Sequence, residues 1–179
     1  VVHDAAGNVR VADATVWIEG FSIVGGAIPD GAGGGIRVEG GRVVLRDCVL
    51  ADNRAAIGAG LAVLAGEAIS SGCEIFANDA SVAGGGVAVL GGRLVLRETV
   101  VRDNIAPERA SVHVGAAGRF VLVDAVPDEL DGLGKVAWSR RSLADRVAML
   151  VARWGPCPDP GEELADRNGD GVVDAVDLA

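Results

Sequence analysis

The sequence predicts an all-β fold, a right-handed parallel β-helix in which short strands wind into stacked coils. Three observations predict it. Ile36, Leu61, Val87 and Val112 recur at intervals of 25 or 26 residues, the first three after the Gly- or Ala-rich triplets Gly33-Gly34-Gly35, Gly58-Ala59-Gly60 and Gly84-Gly85-Gly86 and the fourth after a weaker version, Glu108 to Ser111. Asn53, Asn78 and Asn104 recur with the same interval. Apolar residues alternate in short runs, and helical periodicity is absent from this part of the chain. A period of this size means that each unit buries its apolar face only by stacking on its neighbours, which is the physics of a solenoid.

The elements follow in order along each unit. Ile36-Arg37-Val38, Leu61-Ala62-Val63, Val87-Ala88-Val89 and Val112-His113-Val114 alternate as half-buried strands must. Next come Ile18-Glu19-Gly20-Phe21-Ser22-Ile23, Leu45-Arg46-Asp47-Cys48-Val49-Leu50, Ser70-Ser71-Gly72-Cys73-Glu74-Ile75 and Leu96-Arg97-Glu98-Thr99-Val100-Val101. In each row the first, fourth and sixth residues are apolar or small, as a strand, a bend and a second strand pointing them inward require. Three short strands per coil are expected. Glycines such as Gly40-Gly41, Gly66 and Gly91-Gly92 suit the corners between them. The recurrent asparagines suit a bend, where the side chain tolerates a left-handed backbone and bonds the equivalent amides of adjacent coils in a ladder.

Composition sets limits on function. The 179 residues are 50% hydrophobic with 27 glycines and only 3% aromatics, so the core is thin layers of Val, Leu, Ile and Ala. No apolar run approaches the roughly 18 residues a membrane span needs, and no membrane insertion is expected. A net charge of −9 and a pI near 4.6 oppose nucleic acid, whose phosphates require clustered cations, and Lys135 is the one lysine. Cys48 and Cys73 occupy equivalent places in successive coils, with Thr99 at the third. They are expected as buried thiols, although stacked strands about 4.8 Å apart also permit a disulfide. Cys157 has no evident partner. The chain opens Val1-Val2-His3-Asp4 without methionine and stops at Ala179 inside a motif, so it is read as a piece of a longer protein.

Gly20-Phe21-Ser22-Ile23-Val24-Gly25-Gly26, followed by Gly33-Gly34-Gly35-Ile36 and the Asn-bearing units, resembles the right-handed β-helix repeats of the pectin-lyase-like superfamily. The nearest type is the polymorphic outer membrane protein style of repeat, with Gly-Gly-Ala-Ile and Phe-x-x-Asn signatures. The resemblance covers about residues 9 to 124 and departs by replacing most of the Phe with Cys or Thr. It implies a β-helix and a family that includes polysaccharide lyases, glycoside hydrolases, adhesins and surface proteins.

The strongest chemical motif is Asp166-Arg167-Asn168-Gly169-Asp170-Gly171-Val172-Val173-Asp174-Ala175-Val176-Asp177. Asp166, Asn168, Asp170, Asp174 and Asp177 supply side-chain oxygens at loop positions one, three, five, nine and twelve. The Val172 carbonyl stands at seven, and Gly171 sits where the chain must turn sharply. A hard divalent cation needs six to eight oxygens, so the expected ligand is Ca2+. The terminal Asp, in place of the usual Glu, resembles a type I dockerin repeat, which implies a cohesin-like protein partner. Upstream, Leu143, Val147, Leu150, Val151 and Trp154 recur at helical spacing between Ser142 as N-cap and Gly155-Pro156 as terminator. The domain reading is therefore a β-helix over 1–126, a linker over 127–141, and a truncated dockerin-like segment over 142–179. The helix is the natural cap for the last coil.

No catalytic residue is assigned. Ala77 interrupts Asp52 and Asp103, Ser71 interrupts Arg46 and Arg97, and Glu74, Asp79, Glu98 and Asp103 carry no spacing that fixes a carboxylate pair. His113 alternates with inward Val112 and Val114 and should face outward, remote from His3. The expected function is a calcium-binding module, secreted or at the cell surface, that serves in binding, adhesion or scaffolding, with a cohesin-like protein or a surface polysaccharide as partner. The alternative is a fragment of a polysaccharide lyase or glycoside hydrolase whose catalytic coils lie outside this chain.

Overall fold

The computed structural model describes residues 2–3, 8–107, 111–127, 130–132, 135–138 and 172–173. They form an all-β parallel solenoid of about 4 turns, with no helix among the described residues. Four ladders run along its axis. The first stacks Val9–Val11, Ile36–Val38, Leu61–Val63, the openings of Val87–Arg97 and Val112–Val123, and Leu130–Gly132. The second stacks Thr15–Glu19, Arg42–Arg46, Glu67–Ser71, the ends of the same two long strands, and Lys135–Trp138. The third holds Ser22–Val24, Val49–Ala51, Glu74–Phe76, Val100–Arg102 and Val126–Pro127. The fourth holds Ala27–Ala32, Arg54–Ile57 and Asp79–Ala83, with one further bridge from Asp79 to Ile105.

Two sequence expectations change here. Each full turn has four strand positions rather than three, because Arg54-Ala55-Ala56-Ile57 and its equivalents pair as strands without the alternation that announces one. The segment 127–141, read as a linker, contains Leu130–Gly132 and Lys135–Trp138, which pair in parallel with Val112–Val123. The ladder thus runs beyond residue 126. Its strands there are only three and four residues long, too short for periodicity to show. The predicted helix at 142–154 and its capping role lie outside the described residues.

Alternation fills the core. Val16, Val43, Ala68, Leu94 and Phe120 stand in one inward column and Ile18, Leu45, Ser70, Leu96 and Leu122 in another, nearly all fully buried. At the next corner Cys48, Cys73 and Thr99 point inward and are 1% exposed, as the sequence pattern requires. Phe21 does not follow them: its ring is 63% exposed. The column below it is sized for a thiol or a hydroxyl, and Phe21 lies in the first of the stacked turns, so among the described residues no earlier strand of this ladder closes over an inward ring.

The asparagine ladder is present and its details refine the prediction. Asn53, Asn78 and Asn104 are buried, and each hands its side-chain oxygen to the preceding coil. The Asn78 Oδ1 accepts from the Asn53 backbone N–H at 3.1 Å and from Asn53 Nδ2 at 2.9 Å. The Asn104 Oδ1 accepts from Asn78 in the same way, at 3.1 and 2.9 Å. The left-handed backbone belongs not to the asparagines but to the residue before each: Asp52, Ala77 and Asp103 have φ of 55°, 53° and 53°. The bend is made there, and the Asn side chain reaches along the axis.

The cysteines are free and buried. Cys48 Sγ donates to the Arg46 and Ile18 carbonyls at 3.1 and 3.4 Å, while Cys73 Sγ accepts from the Cys48 amide at 3.4 Å. A hydrogen-bonded thiol column replaces the disulfide that strand spacing would also have permitted. Burial pushes the Cys48 thiol above its ordinary pKa, which keeps it protonated and a poor nucleophile.

Candidate functional site: the outer faces and the acidic loop

Of the residues assigned to calcium, Asp166, Asn168, Asp170, Asp174 and Asp177 lie outside the described residues. Val172 is described through its backbone alone. Val172–Val173 forms a short antiparallel strand on Lys135–Trp138, with Ala137 opposite Val172 and Val136 opposite Val173. The acidic motif is therefore tied by its middle to the C-terminal edge of the second ladder. The donor set of five side-chain oxygens and one carbonyl is of the type a hard cation takes. Among the described residues no group of three or more His, Cys, Asp or Glu side chains gathers round a common point.

The third ladder disperses its charges. Arg102 pairs with Asp103 at 2.5 Å and with Glu74 at 3.5 Å, and its guanidinium lies 4.9 Å from the Phe76 ring centre. The hydrogen bond that Arg102 donates to Asp103, more than the neighbouring charges, holds the Arg102 pKa above its already high value. Arg54 stands 3.9 Å from Asp79 in the fourth ladder. Glu74, Asp79 and Asp103, three of the four carboxylates considered for hydrolysis, are each engaged by an arginine, and Glu98 makes none of the ion pairs found among the described residues. Asp52 and Asp103 share the bend position with Ala77 between them, as the sequence indicates. His113 is half-buried in the first ladder, less open than its alternation predicts, and in register with Ala88. These groups do not assemble a nucleophile, base and oxyanion donor set.

The outer face of the second ladder does gather charge. By strand alternation the outward positions are Thr15, Arg42, Glu67, Arg93 and Arg119 in one row and Glu19, Arg46, Ser71, Arg97 and Val123 in another. Between them run Trp17, Val44, Ile69, Val95 and Val121. Glu67 bridges two rungs, meeting Arg42 at 3.2 Å and Arg93 at 2.5 Å. Trp17 is 66% exposed and carries the Arg46 guanidinium 5.9 Å from its ring centre. Val44 and Val95, 5% and 1% exposed, belong to neither core cluster, which fits cover by long side chains on this face. A chain of net charge −9 thus collects Arg42, Arg46, Arg93, Arg97 and Arg119 on one sheet face with two carboxylates. Inspecting Arg46 and Arg97 as one interrupted pair conceals this; aligning the strand starts exposes the second row, Arg42, Arg93 and Arg119.

On the first ladder, Glu39 accepts from Arg10, whose Nε lies 2.6 Å away, and is ion-paired with Arg37 at 2.7 Å. The Arg10 hydrogen bond, with both positive charges beside it, lowers the Glu39 pKa below its ordinary value despite partial burial. This cluster joins the first two turns and leaves no cation free for a ligand. Compared with known proteins, the chain matches no family model, no curated protein and no solved structure.

Proposed function

We propose that this chain is a binding module of the cell exterior, in which the solenoid presents rows of outward side chains at fixed spacing and the loop at 166–177 holds Ca2+. The observation that supports the reading best is the repetition of the outer rows without convergence: like residues recur rung after rung, which suits a broad non-covalent surface. In that role Asp166, Asn168, Asp170, Asp174, Asp177 and the Val172 carbonyl hold the ion, and binding is coupled to ordering of the loop. The ion supplies charge neutralisation for the acidic segment. The expected affinity is of the extracellular kind, about 10⁻⁴ to 10⁻³ M. A cohesin-like protein or a surface polysaccharide is the proposed partner.

Calorimetric titration of calcium into the chelator-treated full chain tests the metal half. Binding heat that disappears in Asp170→Ala supports it, and no heat in the parent refutes it. Incubating the chain with pectate and other acidic polysaccharides, with and without calcium, tests the other half. Release of unsaturated or reducing ends would replace the binding reading with an enzymatic one.

A further inference from the structure

We infer that two copies of this chain associate side by side with their solenoid axes parallel, along the corner between the second and third ladders, where Arg46 and Arg97 of each copy meet Asp47 and Glu98 of the other. The association uses neither the loop at 166–177 nor a bound ion.

This corner is a column of left-handed backbone. Gly20, Asp47, Gly72, Glu98 and Asp124 have φ of 69°, 49°, 64°, 45° and 54°, and they follow Glu19, Arg46, Ser71, Arg97 and Val123 of the second ladder. The ladder continues through them, because the N–H groups of Gly20, Asp47, Gly72 and Glu98 each donate to the carbonyl one rung on, at 2.9 or 3.0 Å. Arginine and carboxylate therefore stand side by side on two rungs, Arg46-Asp47 and Arg97-Glu98, separated by about 9.6 Å at the usual strand spacing. The rung between them is the uncharged Ser71-Gly72. A Cβ at Gly72 would meet Asp47 Oδ1 at 2.5 Å, so the glycine leaves this carboxylate its room.

All four charged residues are exposed. They make none of the ion pairs found among the described residues, whereas Arg42, Arg54, Arg93 and Arg102 each make one or more. A two-fold axis beside the corner and parallel to the solenoid sets the second-ladder side of one copy against the third-ladder side of the other. Each rung then meets its own equivalent. Arg46 faces Asp47 of the other copy and Arg97 faces its Glu98, twice over, in an isologous contact of four charge-assisted pairs. A slip of one rung sets Arg46 against Gly20 or Gly72, so the charges fix the register.

The exposed aromatics fix the direction. Trp17 and Phe21 flank the corner on the first turn, one on each side, and are 66% and 63% exposed. The same two-fold axis brings Trp17 onto Phe21 of the other copy and Phe21 onto its Trp17, beside the Arg46 guanidinium that already lies 5.9 Å from the Trp17 ring centre. Turning one copy end for end would still match charges, Arg46 to Glu98, but would leave the aromatics of the two copies four rungs apart. Aromatic anchors with arginine are the side chains that protein interfaces favour. The outward turn of Phe21, which leaves the inward column of Cys48, Cys73 and Thr99, thereby acquires a partner.

Sedimentation equilibrium of the full chain, in reducing buffer so that Cys157 forms no intermolecular disulfide, tests the inference. The expected result is a reversible dimer with a Kd of about 10⁻⁴ M or tighter. It should weaken at 1 M salt, where the screening length falls to about 3 Å. Arg46→Glu/Arg97→Glu makes the edge wholly acidic, and Asp47→Arg/Glu98→Arg makes it wholly basic. Each variant alone should stay monomeric, and their equimolar mixture should form the heterodimer. Urea midpoints establish that both are folded, and Glu98 itself shows that the corner accepts a long side chain. Should the basic variant fail to fold, Asp47→Asn/Glu98→Gln must weaken the dimer at least about tenfold. Orientation is read from Gly20→Cys in a Cys157→Ser background, since a Cβ at Gly20 meets nothing within 4 Å. A short bis-maleimide should join the two copies there, whereas the end-for-end arrangement separates the two sites by about 19 Å. A parent that stays monomeric up to roughly 10⁻³ M overturns the inference. So does a dimer indifferent to either charge-reversed pair, or a mixture of the two folded variants that yields no heterodimer. A charge-sensitive dimer without a cross-link at Gly20→Cys overturns the parallel arrangement.

Discussion

Replacing Asn78 by Ala should be among the most damaging single changes in the solenoid. Its fully buried side chain takes part in five hydrogen bonds. It accepts from the Asn53 amide and Asn53 Nδ2, and donates to Leu50 O and Phe76 O at 2.9 Å and to Asn104 Oδ1 at 2.9 Å. Alanine removes them all and leaves the buried Asn53 N–H without this acceptor. One orphaned buried donor costs about 1–3 kcal/mol, and an ordinary buried hydrogen bond adds a net of about 1 kcal/mol. Because several of the other partners keep additional bonds, a total of about 3–5 kcal/mol is expected. The side chain of Asn104 makes four such bonds and that of Asn53 three, so the predicted order of damage is Asn78, then Asn104, then Asn53. Asn78→Asp should be worse than Asn78→Ala, since a buried carboxylate would face two carbonyls and the Asn104 oxygen. Urea unfolding of the four variants, with midpoints compared at equal slope, supplies the measurement. A loss below about 1 kcal/mol for Asn78→Ala, or an aspartate variant more stable than the alanine one, would refute the ladder as an energetic element.

Gly66→Ala should cost about 2 kcal/mol or more in the same assay, because φ is +77° there and a Cβ would meet the Gly41 carbonyl oxygen at 2.4 Å. Glu39→Gln should lower stability by about 0.5–1 kcal/mol at pH 7, since its partners are partly exposed. The folded-state pKa of Glu39 is depressed, so its contribution is present above the ordinary carboxylate value of 4.5 and is lost as pH falls through the folded value. Parent and Gln variant should therefore converge as the pH is lowered into the acid range, and a gap that stays constant with falling pH would argue against the assignment. Native Cys48 and Cys73 should react with a thiol reagent only on unfolding, so their labelling rate should rise with urea in step with loss of structure; prompt reaction in buffer would contradict their burial.

The architecture was legible in the sequence because a solenoid writes itself along the chain: each inward column is one residue position repeated, so Leu45, Ser70 and Leu96 align without any knowledge of three dimensions. What escaped notice has physical reasons. The fourth-ladder strands Arg54–Ile57 and Asp79–Ala83 are rich in Ala, whose small side chain gives no clear alternation. Strands past residue 126 are too short to show a period. The turn of the bend falls on Asp52, Ala77 and Asp103, which share only a backbone conformation and no side-chain chemistry. The arginine face required knowing that Arg42, Arg93 and Arg119 stand in one row, which follows from strand register and not from proximity in the chain. The motif at 166–177 is legible as a spacing of oxygen-bearing residues, and calorimetry tests the Ca2+ proposed for it.

Successive turns are not of equal length, and most of the difference lies in the fourth ladder, one further residue being absorbed between Val114 and Ala117. In the fourth ladder Ile28 pairs with Ala55 and Ala32 with Ile57, so two surplus residues are taken up between them. Likewise Ala80 pairs with Ala55 and Ala83 with Ile57, absorbing one. The variation in the fourth ladder is thus taken up on a side of the molecule that carries neither the asparagines nor the arginine rows. Foreign peptides grafted at Pro29-Asp30 or Ser81-Val82 should be displayed there while the phase of every other column is preserved, whereas the same graft in the second ladder would slide the arginines out of line.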